Sequence, residues 1–346
     1  MTDEVLFERR GALGLITLNR PKALNALTHA MCLAMKAQLD QWARDDTVKT
    51  VVIRGTGERA FCAGGDIRAL YDSGKAKTPY ALEFYRDEYR LNATIKHFPK
   101  PYVALMHGIV MGGGVGVSVH GRHRVANETV TFAMPETGIG LFPDVGGSYF
   151  LPRLPGEIGM YLALTGERLK TADCVYAGIA THFVPGHATE ELVAALQEGT
   201  EPDLVLRSFA GNPGAAPLAD IRESIDRCFS EDSLDGVIVA LDSDGSDWAK
   251  ATLATLRKKS PTSLKVTFRQ IREGARLGFD ECMRMEYRMV HGIVAGHDFY
   301  EGVRAVILEK DNAPDWQPAD LAHVSEAKVG SYFAPLDSGE LVLGNG

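Results

Sequence analysis

Over the first two hundred residues, short apolar runs alternate with stretches of helical period. VLFER and LGLITL near the N-terminus have the length and composition of strands. Between residues 28 and 44 the apolar positions fall at Met31, Met35, Leu39 and Trp42. Spacings of three and four place these four on one stripe, that of a helix lying on a sheet, with Thr28 as its N-cap. KTVVIRG (49–55) returns to a strand, a second helix is expected over about 80–97 after Pro79, and PKPYVALMHG starts a strand that runs into a glycine cluster. HRVA and TVTFAM add two short strands. Such alternation predicts an α/β fold.

Beyond about Leu204 the pattern changes. AGNPGAAP (210–217) has the composition of a linker, and the remainder is nearly all helical in period. Ser260 in SPTS caps a helix carrying Leu264, Val266, Phe268 and Ile271, and another amphipathic run covers 282–294. The chain is therefore expected to divide into an α/β body, 1–205, and a helical region, 206–346. No internal repeat or low-complexity tract interrupts it.

With 346 residues, 45% of them apolar, the chain can bury a large core. The net charge of −8 and a pI near 5.7 exclude a broad surface for nucleic acid or an anionic membrane and favour a small-molecule partner. The five cysteines, Cys32, Cys62, Cys174, Cys228 and Cys282, are scattered without a CxxC pair, against a zinc site or a disulfide framework. No apolar run reaches the length of a membrane span, and the first residues lack the bias of a secretory or organelle leader. A cytoplasmic protein is the expectation.

Three segments could carry chemistry. AFCAGGDI (60–67) puts Gly64, Gly65 and Asp66 where a strand gives way to a helix, so that consecutive N–H groups can face a phosphate or an oxyanion; taken alone it is equally a turn capped by Asp66. HGIVMGGGVGVSVHG (107–121) offers Gly112, Gly113 and Gly114 for close backbone approach to a ligand, without the spacing of a nucleotide or dinucleotide loop. TFAMPETGIGLFPDVGGSYFLPRL (131–154) sets Glu136 and Asp144 among Phe132, Met134, Ile139, Leu141 and Phe142, where desolvation raises a carboxyl pKa toward neutrality and suits it to acid/base work.

In this order, and with LNRPKALNAL (18–27), the segments closely resemble the crotonase superfamily, also called the enoyl-CoA hydratase/isomerase family. The likeness to its 3-hydroxyisobutyryl-CoA hydrolase branch extends through MGGGVG, PETGIGLFPDVGG, SPTSLKVTFRQ, MEYRM and GHDFYEGVRAVILEKDNAPDW, nearly the whole chain. The resemblance implies a spiral of ββα units with a helical C-terminal region, an acyl-CoA substrate and an allowance for a homo-oligomer. It assigns the oxyanion-binding amides to Gly65 and Gly113, and the CoA adenine and phosphate end to Lys22, Ala23 and Leu24 with Ala63, Asp66 and Ile67. Glu136 becomes the main catalytic carboxylate, attacking the thioester or activating water, with Asp144 assisting proton transfer and Glu88 accepting a hydrogen bond from the acyl hydroxyl. Read from the residues alone, Lys22 is equally an exposed surface lysine and Glu88 part of a solvated helix face beside Arg86, Asp87 and Arg90.

Hydratases of the superfamily resemble one another in a second glutamate, whose position here is Gly116. Two other readings stay open: an enoyl-CoA hydratase or isomerase using Glu136 alone, and a CoA-binding protein without activity. Thioester hydrolysis asks for no metal or redox cofactor, and none is expected. His107, His120 and His123 are read as structural.

Overall fold

The computed structural model describes residues 3–337 and 339–344. Two sheets form the α/β body. The larger has six strands in the order β1-β2-β3-β5-β7-β10, and the smaller four in the order β4-β6-β8-β9. Strands β1 (Val5–Arg10) and β2 (Leu13–Leu18) form an antiparallel hairpin, after which β3 (Thr50–Gly55), β5 (Tyr102–Met106), β7 (His123–Ala126) and β10 (His182–Phe183) add in parallel. The smaller sheet takes β4 (Ala60–Cys62), β6 (Ile109–Met111) and β8 (Thr131–Ala133) in parallel, closed by antiparallel β9 (Leu169–Lys170). Successive pairs β3/β4, β5/β6 and β7/β8 thus give one strand to each sheet before the chain turns on, which is the expected ββα spiral.

All six residues of β2 are buried, as a parallel strand covered on both faces requires. Helix α1 (His29–Arg44) begins after Thr28, whose hydroxyl accepts the Met31 amide, and it buries Met31, Met35, Leu39 and Trp42. Helix α2 (Ile67–Lys75) follows the AGGD turn, and α3 (Tyr80–Lys96) packs on α1. Pro261–Gly274 starts after Ser260 as its capping sequence predicts, and the amphipathic run beyond it extends over Phe279–Val294. The five cysteines are buried and unpaired.

The expected division at residue 205 falls inside the helix Pro202–Phe209, and the extended segment is 210–216. One apolar core nonetheless runs from Val5 and Ile16 in the hairpin to Met283, Met289 and Phe299 in the helical region. Among the described residues no helix is long and apolar enough to cross a membrane.

Candidate active site

The site lies where three neighbouring parallel strands of the smaller sheet end together. Strand β4 runs out into Ala63, Gly64 and Gly65, β6 into Gly112 and Gly113, and β8 into Pro135 and Glu136, all of which line one cavity of about 430 Å³. Gly64 (φ +123°) and Gly112 (φ +47°) carry backbone that side-chain-bearing residues rarely adopt, and a Cβ on Gly112 would come 3.2 Å from the Gly64 Cα. The two loops can pass this closely only as glycine. Gly113 opens the short helical turn Gly113–Gly116, so its amide has no acceptor within the turn, and the Gly65 amide has no hydrogen-bond partner among the described residues. Two free N–H groups from separate loops therefore border the same space, as an oxyanion site requires.

Three buried carboxylates surround it. Glu88 on α3 is 2% exposed and Glu136 and Asp144 4% each. Glu88 is thus not on a solvated face, and neither is the neighbouring Asp87, 6% exposed; against that burial the bonds from Arg86 and His29 hold Asp87 down to about 2. Burial, then the charge of Asp144, pushes Glu88 well above the usual carboxylate range. Glu136 is raised for the same two reasons, while Lys259 pulls it down. Asp144 is raised by burial to about 7, against the Tyr89 hydroxyl that donates to its Oδ2 at 2.9 Å. Glu88 Oε1, Glu136 Oε2 and the Tyr85 hydroxyl are buried without a hydrogen-bond partner among the described residues, although all three residues line the cavity. Unpaired polar atoms at this depth are costly, and a polar ligand would satisfy them.

Of the residues singled out in the sequence, Ala63, Gly65, Ile67, Glu88, Gly113, Glu136 and Asp144 line the cavity. Lys22, Ala23, Leu24 and Asp66 do not. Lys22 and Ala23 are exposed on a 3₁₀ turn, Pro21–Ala23, that the hydrogen bond from the Ala63 amide to the Leu24 carbonyl holds beside the AGGD strand end. The Asp66 carboxylate caps α2 at the Ala69 amide and pairs with Arg20. His120 is buried, its pKa lowered by burial to about 3, and its Nε2–H donates to the Val145 carbonyl at 2.7 Å.

The sequence reading passed over the opposite wall. Arg168, Lys258 and Lys259 line the cavity mouth with Val306, Ile307 and Pro314. None of the three cations forms an ion pair among the described residues, and Lys259 Nζ comes within 3.4 Å of where a Cβ on Gly138 would stand. The only local signal was the KK preceding the Ser260 cap.

Gly116 is closed to a side chain. A Cβ there would lie 2.7 Å from Asn92 Nδ2 and 2.8 Å from Val145 Cβ, so the position a second hydratase glutamate would take is filled by the protein itself.

The model of the family described as Enoyl-CoA hydratase/isomerase matches residues 13–333. The chain belongs to this family. Within the enoyl-CoA hydratase/isomerase family it is 52% identical to the mitochondrial 3-hydroxyisobutyryl-CoA hydrolase of Danio rerio, over 98% of this chain and 92% of that one. It is 48% identical to the hydrolase of the same name from Homo sapiens, over 98% and 90%. Among solved family structures, the carnitinyl-CoA dehydratase of Mycobacterium thermoresistibile superposes with a TM-score of 0.94 at 44% identity over the whole of both chains. An enoyl-CoA hydratase from Rhodobacter sphaeroides does so with 0.90 at 41%, over 98% of this chain and all of that one. The family fold is thus shared by proteins named for different reactions, and the reaction has to be argued from the site. The relatives named as hydrolases are also named as mitochondrial, which overturns the cytoplasmic expectation. That expectation rested on the residues at the start of the chain, which do not decide the compartment.

Proposed function

We propose that the chain hydrolyses 3-hydroxyisobutyryl-CoA to 3-hydroxyisobutyrate and free CoA, a step of valine breakdown. The observation that carries this reading is the exchange of acids around the paired amides. Gly116 is packed shut against Asn92 and Val145, while Glu88 and Asp144 stand with Glu136 around the cavity. Addition of water across a double bond by two glutamates has no second glutamate here, whereas hydrolysis needs one carboxylate at the carbonyl and one proton carrier beside the leaving sulfur.

The thioester oxygen is placed between the N–H groups of Gly65 and Gly113, which stabilise the negative charge it gains as the carbonyl carbon becomes tetrahedral. Glu136 supplies the attacking oxygen, either its own, forming a mixed anhydride, or that of a water whose proton it takes. When the intermediate collapses the C–S bond breaks, the sulfur leaves with the electron pair, and Asp144, with a pKa near neutrality, hands it a proton. Single-turnover hydrolysis in ¹⁸O-water separates the two routes, since only the anhydride route leaves solvent oxygen in Glu136. Glu88 accepts the hydrogen bond of the acyl hydroxyl, and an acyl group without that hydroxyl leaves a buried carboxylate unpaired. No step calls for a metal or redox cofactor. Arg168, Lys258 and Lys259 meet the phosphates of CoA at the mouth, and self-association of the chain is read by light scattering.

The test is free-thiol release from 3-hydroxyisobutyryl-CoA by the purified protein, with crotonyl-CoA and the Glu136→Gln variant in parallel. We expect rapid release by the wild type, a loss of about 10³-fold or more in the variant, and little hydration of crotonyl-CoA. Hydration without thiol release would overturn the reading in favour of a one-glutamate hydratase. A protein that turns over neither thioester would be a CoA-binding chain.

A further inference from the structure

Glu286, in the middle of Phe279–Val294, is fully buried and lies outside the cavity lining. It has no cation partner among the described residues. Its Oε2 accepts the Gly146 amide at 2.8 Å and its Oε1 the Ser148 amide at 2.9 Å. Both amides belong to the loop that carries Asp144, which turns through two left-handed residues, Val145 (φ 50°) and Gly146 (φ 90°). A β-branched residue in that region is strained and keeps the conformation only where its surroundings over-determine it. The surroundings do so here from several sides. Besides the two Glu286 bonds, Gln270 Nε2 donates to the Pro143 carbonyl at 2.6 Å and to Ser148 Oγ at 2.8 Å, and the His120 ring holds the Val145 carbonyl.

A carboxylate buried without a cation is an expensive way to hold a loop. Burial raises its pKa to about 8 even though both amides lower it. An apolar residue of similar volume would avoid that cost, but it would leave unpaired two buried amides, those of Gly146 and Ser148, in the segment just beyond Asp144. The titratable groups that interact with Glu286 are Asp144, Glu136, Tyr89 and Cys282, none of them cationic, so the amides are what the carboxylate serves.

We propose that Glu286 is a positioning residue for thioester hydrolysis: through the amides of Gly146 and Ser148 it aims the Asp144 carboxyl at the leaving sulfur, so that the helical region governs a proton transfer performed on the α/β body. This rests on the hydrolase reading given above. Truncating Glu286, or replacing one of its two acceptor oxygens by an amide nitrogen, relaxes the loop and misplaces Asp144 without removing any group that binds substrate.

The experiment compares Glu286→Gln with wild type, and the same replacement made on an Asp144→Asn background, by kcat and KM for thiol release from 3-hydroxyisobutyryl-CoA. In the wild-type background kcat should fall about 10- to 100-fold, the penalty of a misplacement near 1 Å, with KM within about 3-fold. On the Asp144→Asn background the same replacement should change kcat less than about 3-fold, because residues acting through one another are not additive. Should Glu286→Gln fold poorly by circular dichroism, Glu286→Asp keeps both acceptor oxygens, withdraws them by one methylene and is expected to show the same dependence on Asp144. An equal loss of kcat in both backgrounds, or wild-type kcat in the variant, overturns the proposal. Absence of thiol release by the wild type would instead overturn the hydrolase reading, and this proposal with it.

Discussion

The wall of the cavity built by strand ends and the wall built by the helical region differ in how much freedom each residue has. On the first, Gly64 is fixed by its positive φ, Gly112 by positive φ and close approach, and Gly113 by close approach, since a Cβ on Gly113 would come 2.5 Å from Glu88 Oε1. Backbone geometry leaves almost no alternative side chain. On the second, Lys258, Val306 and Ile307 are exposed at the mouth, and each could be replaced without a clash in the core. Chemistry that needs sub-ångström placement is therefore put on the rigid wall, and recognition of a long, flexible thioester on the permissive one. Glu286 joins the helical region to the catalytic side from outside the lining, since it sits in Phe279–Val294 and holds the loop that follows Asp144.

The largest expected effect breaks the first wall. Gly113→Ala drives a methyl into the Glu88 carboxylate and into Leu27 Cδ1, at 3.0 Å, and so shifts the amide to which the proposed function gives the oxyanion. Loss of one such donor lowers kcat by about 10²–10³-fold. The matching change on the second wall, Ile307→Ala, is expected to cost less than about 3-fold, an ordinary surface substitution. Thiol-release kinetics on both proteins measure the contrast directly, and equal losses would remove the distinction between the walls.

A second prediction concerns what the rigid wall does to stability. The folded-state pKa of Asp144, about 7, lies above its ordinary value of 3.8. The fold therefore prefers the protonated form, and the stability tied to it is fully present below about pH 4 and lost as pH rises through 7. Three units correspond to roughly 4 kcal/mol at most. Asp144→Asn cannot ionise, so its melting temperature should exceed that of wild type by several degrees at pH 8, by less at pH 5 and by little at pH 4. A pH-independent difference would mean that Asp144 is not held neutral by the fold.

The unequal legibility of the two walls in the sequence follows from the same contrast. Glycine clusters and carboxylates set beside prolines leave local signatures, so Gly65, Gly113, Glu136 and Asp144 stand out within runs of a dozen residues. Glu88 is different, because FYRDEYRLN presents two neighbouring acids and only the packing of α3 shows that Asp87 turns to Arg86 and Arg90 while Glu88 turns inward. Lys259 and Glu286 leave less still. Each lies in a stretch whose helical period announces a helix and nothing more, and each reaches the site only because residues more than a hundred positions away in the chain fold against it. Tyr85 and Asn92 were hidden for the same reason, as members of an apolar helix face. The spiral was legible because strand and helix periods are local. The division at residue 205 shows the limit of that, since composition marks the extended segment at 210–216 but not the helix Pro202–Phe209 that precedes it.

The smallest effect sharpens the comparison from the permissive side. Lys259 lines the mouth near Glu136, and its charge lowers the Glu136 pKa. Lys259→Ala should therefore act in two separable ways. Losing one cation for the CoA phosphates weakens binding by about 1 kcal/mol, a rise in KM of roughly 5- to 10-fold that shrinks at high salt, where screening already weakens the contact in the wild type. Losing its field raises the Glu136 pKa further, so the acid limb of kcat moves to higher pH, because ionised Glu136 is the form that attacks or takes the proton from water. At pH 9, where the carboxylate is more nearly ionised in both proteins, kcat should approach the wild-type value while the KM difference persists. A KM unchanged at low salt would place the CoA phosphates elsewhere, with Lys22 on its exposed turn the next cation to substitute, and an unmoved acid limb would separate Lys259 from the chemistry altogether.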